Sequence, residues 1–318
     1  MNIDSIDRWR GAVLGLACGD ALGMPFEFAD PVPSEPVTEM LPHERLRFGL
    51  RRTSATSADE SISLPAGSWT DDTSMTLCLA ESLLECGGVN LRDQMYRYWR
   101  WGRQGHLTPT GVTFGMGPTV RVALARFDSG EEVWGDESAL TNGSLMRAAA
   151  APLYFGSGAQ LLDAAAECSE PTHRDPICRA ACQVYAALVS AALGGARRED
   201  LLAAGAGSSG LERPFPGRLE SILDGGLARR DRSQISGAND VQCTLEAALW
   251  AFAGTDDFES GAAAAISLGM DTDTSACVYG ALAGAHYGVG GIPERWLETV
   301  QQRDLLEGFA RRLHAAAN

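Results

Sequence analysis

The amino-acid sequence predicts an all-α fold, and two patterns lead to that prediction. Apolar residues recur at i, i+3, i+4 and i+7 in several segments, which is the spacing of one buried helix face. Strand-like alternation is nearly absent. With 318 residues, 45% of them hydrophobic and 21% charged, the chain has enough apolar material for a sizeable core. The helical stripes comprise Met75, Leu79, Leu83 and Cys86; Val184, Leu188 and Ala191; and Leu245, Ala248, Leu249 and Phe252.

The first helix carries a glycine at every fourth position. Residues at this spacing share one helix face, and without side chains that face admits another backbone at short distance. Such a stripe also favours helix dimerisation in membranes, but this segment is short and charged, so we expect close packing within a soluble bundle. The glycines are Gly11, Gly15, Gly19 and Gly23, and the spacing recurs at Gly280 and Gly284.

Two polar stretches separate the patterned segments. Residues 29–67 are rich in Pro, Ser and Thr, and residues 205–237 are rich in Gly, Ser and Arg. Each is consistent with a domain linker, but the motifs described below occur on both sides of each. We therefore expect long surface loops on a single domain of residues 1–318.

The charge balance and cysteine pattern exclude several classes of partner and enzyme. The chain has 41 acidic residues against 26 basic ones, a net charge of -15, which disfavours nucleic acids and anionic membranes and suits divalent cations. All the basic residues are Arg, so a Walker A loop and a Schiff-base lysine are excluded. Eight cysteines without a C-x-x-C pair indicate a reducing cytoplasm. No uninterrupted apolar run reaches the ~18 residues of a membrane span.

Two acidic clusters open amphipathic segments. They are Thr70-Asp71-Asp72-Thr73 and Asp271-Thr272-Asp273-Thr274. Each is consistent with a simple helix cap, as is Thr255-Asp256-Asp257, which precedes Glu259 in a capping-box-like arrangement. Spacing alone does not separate these cases. If the two clusters converge, however, four carboxylates and several hydroxyls form an all-oxygen site for Mg²⁺ or Mn²⁺ and repel one another without a cation.

Five motifs follow one another along the chain: Gly15–Glu27, Gly67–Thr73, Asn142–Arg147, Thr172-His173, and Leu268–Thr274 followed by Gly280–Ala285. In this order they resemble the motifs of the ADP-ribosylglycohydrolase family, especially its bacterial members of the dinitrogenase-reductase-activating type. Any one of these motifs is a weak signal, but together they span about residues 8 to 313 and are specific.

The resemblance implies an orthogonal helical bundle with two divalent cations, Mg²⁺ or Mn²⁺. It implies cleavage of the bond between C1″ of ADP-ribose and an acceptor, with Glu27 transferring protons. By residue type alone, Glu27 is equally consistent with a salt bridge, and for Asp20 we expect a structural role. The metal ligands that the resemblance implies are Thr70, Asp71, Asp72, Asp271, Asp273 and Thr274.

The substrate residues are expected around a glycine-containing turn. Because the protein is acidic, backbone amides near residues 138–144 are expected to hold the diphosphate. Asn142-Gly143 alone is equally typical of a hairpin turn. The resemblance adds His173 as a nucleotide contact, whereas a lone His is more often a cap or a core residue. The substrate residues predicted in this way are Ser138, Asn142, Gly143, Ser144 and His173.

The acceptor is the least constrained part of the prediction. Many bacterial relatives have Phe-Asp-Ile-Gly-Asn-Thr where this chain has Phe-Gly-Met-Gly-Pro-Thr at residues 114–119, so a carboxylate is missing at Gly115. We expect a protein arginine acceptor, held by acids of residues 29–67. Serine-linked or small-molecule ADP-ribose, a catalytically silent ADP-ribose-binding protein and a binuclear phosphohydrolase are the alternatives. The acids concerned are Glu35, Glu39, Asp59 and Glu60.

Overall fold

The all-α prediction is confirmed by a computed structural model, which describes residues 3–30, 32–46, 61–201, 214–223 and 226–318. Short 3₁₀ turns connect several of the helices. The helices are α1 (Ser5–Gly23), α2 (Asp71–Cys86), α3 (Leu91–Gln104), α4 (Pro118–Asp128), α5 (Ala150–Phe155), α6 (Leu161–Ser169), α7 (Pro176–Leu193), α8 (Leu219–Ile222), α9 (Val241–Gly254), α10 (Phe258–Ser267), α11 (Thr272–Tyr287), α12 (Glu294–Thr299) and α13 (Arg303–Ala317).

Helices α1 and α11 form the centre of the bundle. Every residue from Gly11 to Gly23 in α1, and from Thr272 to Ala285 in α11, is buried. A helix that is apolar around most of its circumference is buried on all sides, in contrast to an amphipathic surface helix. The predicted stripe of α9, from Leu245 to Phe252, is also buried against this core.

The glycine stripe of α1 packs antiparallel against the small residues of α11. A Cβ atom built on Gly11 would lie 2.1 Å from the carbonyl oxygen of Gly284, and one on Gly15 would lie 2.4 Å from that of Gly280. Farther along, a Cβ on Gly19 would lie 2.1 Å from the carbonyl oxygen of Ala276. These distances leave no room for a side chain, so the prediction of close backbone packing is confirmed and its partner is α11.

We expect Gly284→Ala to destabilise the protein by about 1–3 kcal/mol or more, because overpacking forces two helices apart. Its Cβ would lie 1.9 Å from the carbonyl oxygen of Gly11. Gly308→Ala in α13 is the matched control: nothing lies within 4 Å of its Cβ, so a gain of about 0.4–1 kcal/mol is expected. Urea unfolding measures both. Equal stability of the two variants would contradict the packing argument.

The polar stretch at residues 29–67 is not wholly irregular. Strands β1 (His43–Leu46) and β2 (Ser61–Leu64) pair antiparallel, with His43 opposite Leu64. The sequence of β2, Ser-Ile-Ser-Leu, alternates polar and apolar residues as a strand does, but the sequence analysis predicted only a surface loop there. Residues 47–60, and with them Asp59 and Glu60, lie outside the described part of the chain. The stretch at 205–237 likewise contains α8 and two 3₁₀ turns.

Within the described residues, one helix is long and apolar enough by composition to cross a membrane. This helix is α7, and 56% of its apolar window is buried inside the bundle. Its Tyr185 hydroxyl donates to the carbonyl of Val278 in α11 at 2.7 Å. The core helix of a globular bundle passes the same compositional test, so the observation is weak evidence for a membrane span.

Candidate active site

The contact between α1 and α11 places the last residue of α1 beside the acidic cluster that opens α11. A Cβ on Gly23 would lie 2.6 Å from Cα of Asp273, and the Thr272 hydroxyl donates to the Gly23 carbonyl at 2.9 Å. The chain leaves α1 through a 3₁₀ turn, Met24–Phe26, and reaches Glu27. The first motif is thereby placed beside the second acidic cluster.

Asp20 fastens the first turn of α2 to α1. Its buried carboxylate accepts hydrogen bonds from the amides of Thr70 and Thr73 at 2.9–3.0 Å, and from the Thr73 hydroxyl at 2.6 Å. Burial raises the pKa of Asp20 to about 6, although these hydrogen bonds oppose the shift. The contacts agree with the structural role expected for Asp20, and they place the first acidic cluster next to the second.

A cavity of about 480 Å³ lies where these elements meet. This volume is within the range of small-molecule sites in proteins. Most of the residues predicted from the sequence line it, although Thr70, Ser138 and Ser144 do not. The predicted residues that line the cavity are Glu27, Asp71, Asp72, Asp271, Asp273, Thr274, Asn142, Gly143 and His173.

Asp273 is shared by two groups of carboxylates. In the first group, oxygens of Asp20, Asp72 and Asp273 lie within 4.8 Å of one another. In the second, Glu27 and Asp271 join Asp273 at the same separation. Two adjacent groups with a common carboxylate have the composition expected of a binuclear centre for hard cations.

The charges of these groups are poorly compensated by the protein itself. Asp72 Oδ1 is buried and has no hydrogen-bond partner within the described part of the chain. Burial, followed by the nearby carboxylates, raises the pKa of both Asp71 and Asp72 well above the usual value. A buried carboxylate oxygen that lies among other carboxylates and has no donor suits a divalent cation, so the residues present fit a metal centre.

The structure separates the second acidic cluster from an ordinary helix cap. Asp257, in the Thr-Asp-Asp segment before α10, accepts a hydrogen bond from the Ser260 amide at 2.7 Å, which is a normal cap. Asp271 occupies the same position at α11 but makes no cap hydrogen bond. Its Oδ2 instead accepts from the Asn142 amide group at 2.7 Å.

The two predicted threonine ligands differ in their surroundings. Thr70 is the N-cap of α2: its hydroxyl accepts from the Asp72 amide at 3.3 Å and donates to Asp72 Oδ2 at 3.0 Å. Thr274 lines the cavity, and its amide donates to Asp273 Oδ1 at 3.0 Å. Both therefore hold the carboxylate nearest to them.

The segment around Asn142 forms a 3₁₀ turn, Asn142–Ser144, rather than a hairpin. The Asn142 side chain donates to both Thr244 and Asp271, so it positions a carboxylate of the cluster as well as lining the cavity. Ser144 is buried behind the turn. Ser138 is exposed and bonds to Asp136, outside the cavity lining.

His173 is a buried wall of the cavity. Its two ring nitrogens lie 2.8 Å from the hydroxyls of Thr141 and Thr172. Burial, with a smaller effect of Arg147, lowers the pKa of His173 to about 3, so the ring is neutral near pH 7. A Cβ on Gly143 would lie 3.0 Å from the ring. The absence of a side chain at Gly143 thus lets the imidazole close against the turn.

Sequence reasoning did not predict that Phe28 and Arg121 line the cavity, and it treated residues 114–119 only as a departure from the family pattern. Residues 115–121 line the cavity, and so does Phe28. Among the lining residues that the structure describes, Arg121 carries the one formal positive charge. Gly115 has φ +84°, and a Cβ there would lie 2.5 Å from Asp71 Oδ1. A side chain at residue 115 would therefore require Asp71 to move and would leave the backbone strained.

Comparisons with known proteins agree with the all-α fold and with the family resemblance of the motifs. The family model for ADP-ribosylglycohydrolase matches residues 1–318. Proteins named ADP-ribosylarginine hydrolase Tri1 from Serratia proteamaculans and Pseudomonas putida are 32% and 34% identical, over 98% and 97% of this chain and 80% and 78% of theirs. A solved structure described as an ADP-ribosylglycohydrolase-related protein complex has a TM-score of 0.80 at 38% identity, over 99% of both chains. The chain belongs to the ADP-ribosylglycohydrolase family.

Proposed function

We propose that this protein is a metal-dependent hydrolase that releases ADP-ribose from ADP-ribosylated arginine in a protein. The observation that carries the proposal is the convergence of Glu27 and four aspartates in one cavity. The two bacterial relatives named ADP-ribosylarginine hydrolase support the choice of arginine.

Asp71, Asp72, Asp271 and Asp273, with Thr70 and Thr274, would hold two divalent cations, Mg²⁺ or Mn²⁺, and Asp273 is common to both carboxylate groups. Bound there, the cations would neutralise the cluster and orient ribose hydroxyls and water. Asn142 fixes Asp271 through a 2.7 Å hydrogen bond, and Asp20 fixes the turn that carries Asp72. The protein thus supplies a rigid set of oxygens.

The diphosphate of ADP-ribose needs a less acidic part of the cavity. Arg121 and the N-terminus of α4, where Gly117 is the N-cap, lie on the lining. A helix N-terminus and a guanidinium together attract phosphate oxygens. We therefore place the diphosphate there, with Gly143 and the neutral His173 near the nucleoside.

Glu27 is half-buried and lies in the carboxylate group with Asp271 and Asp273, so it reaches the reacting end of the substrate. In the proposed step, a water oxygen bonds to C1″ while the bond from C1″ to the guanidine nitrogen breaks. Glu27 accepts the water proton, and a proton returns to the leaving nitrogen. The products are ADP-ribose and unmodified arginine.

The test is incubation with ADP-ribosyl-arginine and ADP-ribosyl-serine peptides, with Mg²⁺, with Mn²⁺ or with excess EDTA, while free ADP-ribose is measured. We expect release from the arginine peptide with either cation and none with EDTA. Full activity in EDTA would contradict the metal proposal. Binding of ADP-ribose without release from either peptide would identify a silent binding protein.

A further inference from the structure

Phe28 combines two unfavourable features at the mouth of the cavity. Its backbone has φ +53°, in the left-handed region that bulky residues rarely adopt, and its side chain is 57% exposed. Glycine would remove both the strain and the exposed apolar surface. A strained residue beside the proposed proton carrier Glu27 is the arrangement expected where a side chain serves a ligand.

The left-handed backbone of Phe28 is held by a hydrogen bond to a residue far along the chain. The Phe28 amide donates to the carbonyl of Met270 at 2.6 Å. Met270 itself has φ +58°, is 47% exposed and directly precedes Asp271. Phe28 therefore forms the rim of the cavity next to Glu27, and a backbone hydrogen bond ties it to the residue that precedes Asp271.

The position of this rim indicates which part of a substrate it meets. Since Glu27 lies at the reacting end, the next residue lies near the leaving acceptor and not near the adenine. Gly115 offers no carboxylate to the acceptor, and Glu39 pairs with Arg295 at 3.1 Å, away from the cavity lining. A planar cation surrounded by carboxylates binds favourably over an aromatic face.

We propose that Phe28 is the platform on which the acceptor guanidinium stacks, and that this contact selects arginine over uncharged acceptors. The inference rests on the proposed hydrolase function. It replaces the acids of residues 29–67 as the specificity element. It requires no movement of the metal-binding residues.

The experiment compares wild type with Phe28→Gly, which accepts the left-handed backbone, and with Phe28→Tyr, which keeps the ring. We expect Phe28→Gly to lower kcat/KM for the ADP-ribosyl-arginine peptide about 3- to 30-fold, the range of an exposed to desolvated cation–π contact. The serine peptide should change less than about twofold. Affinity for free ADP-ribose, the unfolding midpoint and the Phe28→Tyr variant should stay close to wild type.

An equal fall on both peptides, or a weaker affinity for free ADP-ribose, overturns the proposal. Peptide binding to the Glu27→Gln variant distinguishes failure of this proposal from failure of the proposed hydrolase function. If wild type cleaves neither peptide, the proposed function fails. The role of Phe28 is then tested by calorimetry, in which Phe28→Gly is added to the Glu27→Gln variant. A lower affinity for the arginine peptide, with unchanged affinity for the serine peptide, supports the platform. Unchanged affinity for the arginine peptide refutes it.

Discussion

Asp273→Asn is expected to abolish ADP-ribose release and to remove cation binding, the largest effect of any single substitution in the cavity. Asp273 is the member common to both carboxylate groups, so its loss weakens both cation positions at once. Turnover should fall to the level of wild type in EDTA. Asp257→Asn is the matched control, because Asp257 belongs to a similar Thr-Asp-Asp segment but caps α10. Calorimetry with Mg²⁺ or Mn²⁺ and the peptide assay measure both variants.

The same substitution has a distinct signature in stability. A cation bound only to the folded protein at 100 times its Kd stabilises it by about 2.7 kcal/mol, and Asp273→Asn should lose this increment. Without metal, the variant should be at least as stable as wild type, since one of several crowded carboxylates has been neutralised. Retention of metal-dependent stabilisation would show that Asp273 is not a shared ligand.

Glu27→Gln is expected to lower kcat by about 10²–10⁴-fold, the usual contribution of a general acid or base. Because Glu27 lies within the group of Asp271 and Asp273, its carboxylate is also close enough to ligate a cation. The amide of glutamine keeps one oxygen donor but does not accept a proton at neutral pH. We therefore expect metal and ADP-ribose affinities near those of wild type. Full activity of this variant assigns Glu27 to packing, and loss of metal assigns it to ligation.

The sequence predicted the helices well where apolar spacing was regular. The stripe from Leu245 to Phe252 is buried, as is that of α2, apart from the exposed Cys86. The glycine spacing predicted a small-residue face, but spacing does not name the partner of that face. Strands of four residues, such as β2, are too short to be recognised among helical signals.

The candidate site depended on information that local spacing does not contain. Thr255-Asp256-Asp257 and Thr70-Asp71-Asp72 have the same local pattern, and only the long-range packing of α2 and α11 distinguishes a cap from a carboxylate cluster. Phe28 and Arg121 were missed for the same reason. Neither belongs to a recognisable motif, and the place of each on the cavity lining follows from how the elements of the fold pack.

The pairing of α1 with α11 also constrains when a working site exists during synthesis. The Thr272–Gly23 hydrogen bond joins residues 249 positions apart. At 5–20 residues per second, the ribosome takes about 12 to 50 s to traverse that interval. During that time the glycine face of α1 lacks its native partner, and non-local contacts of this kind form slowly. A chain released before α11 is complete has no paired carboxylate clusters, so truncated products are inactive and have a helix face open to chaperones or aggregation.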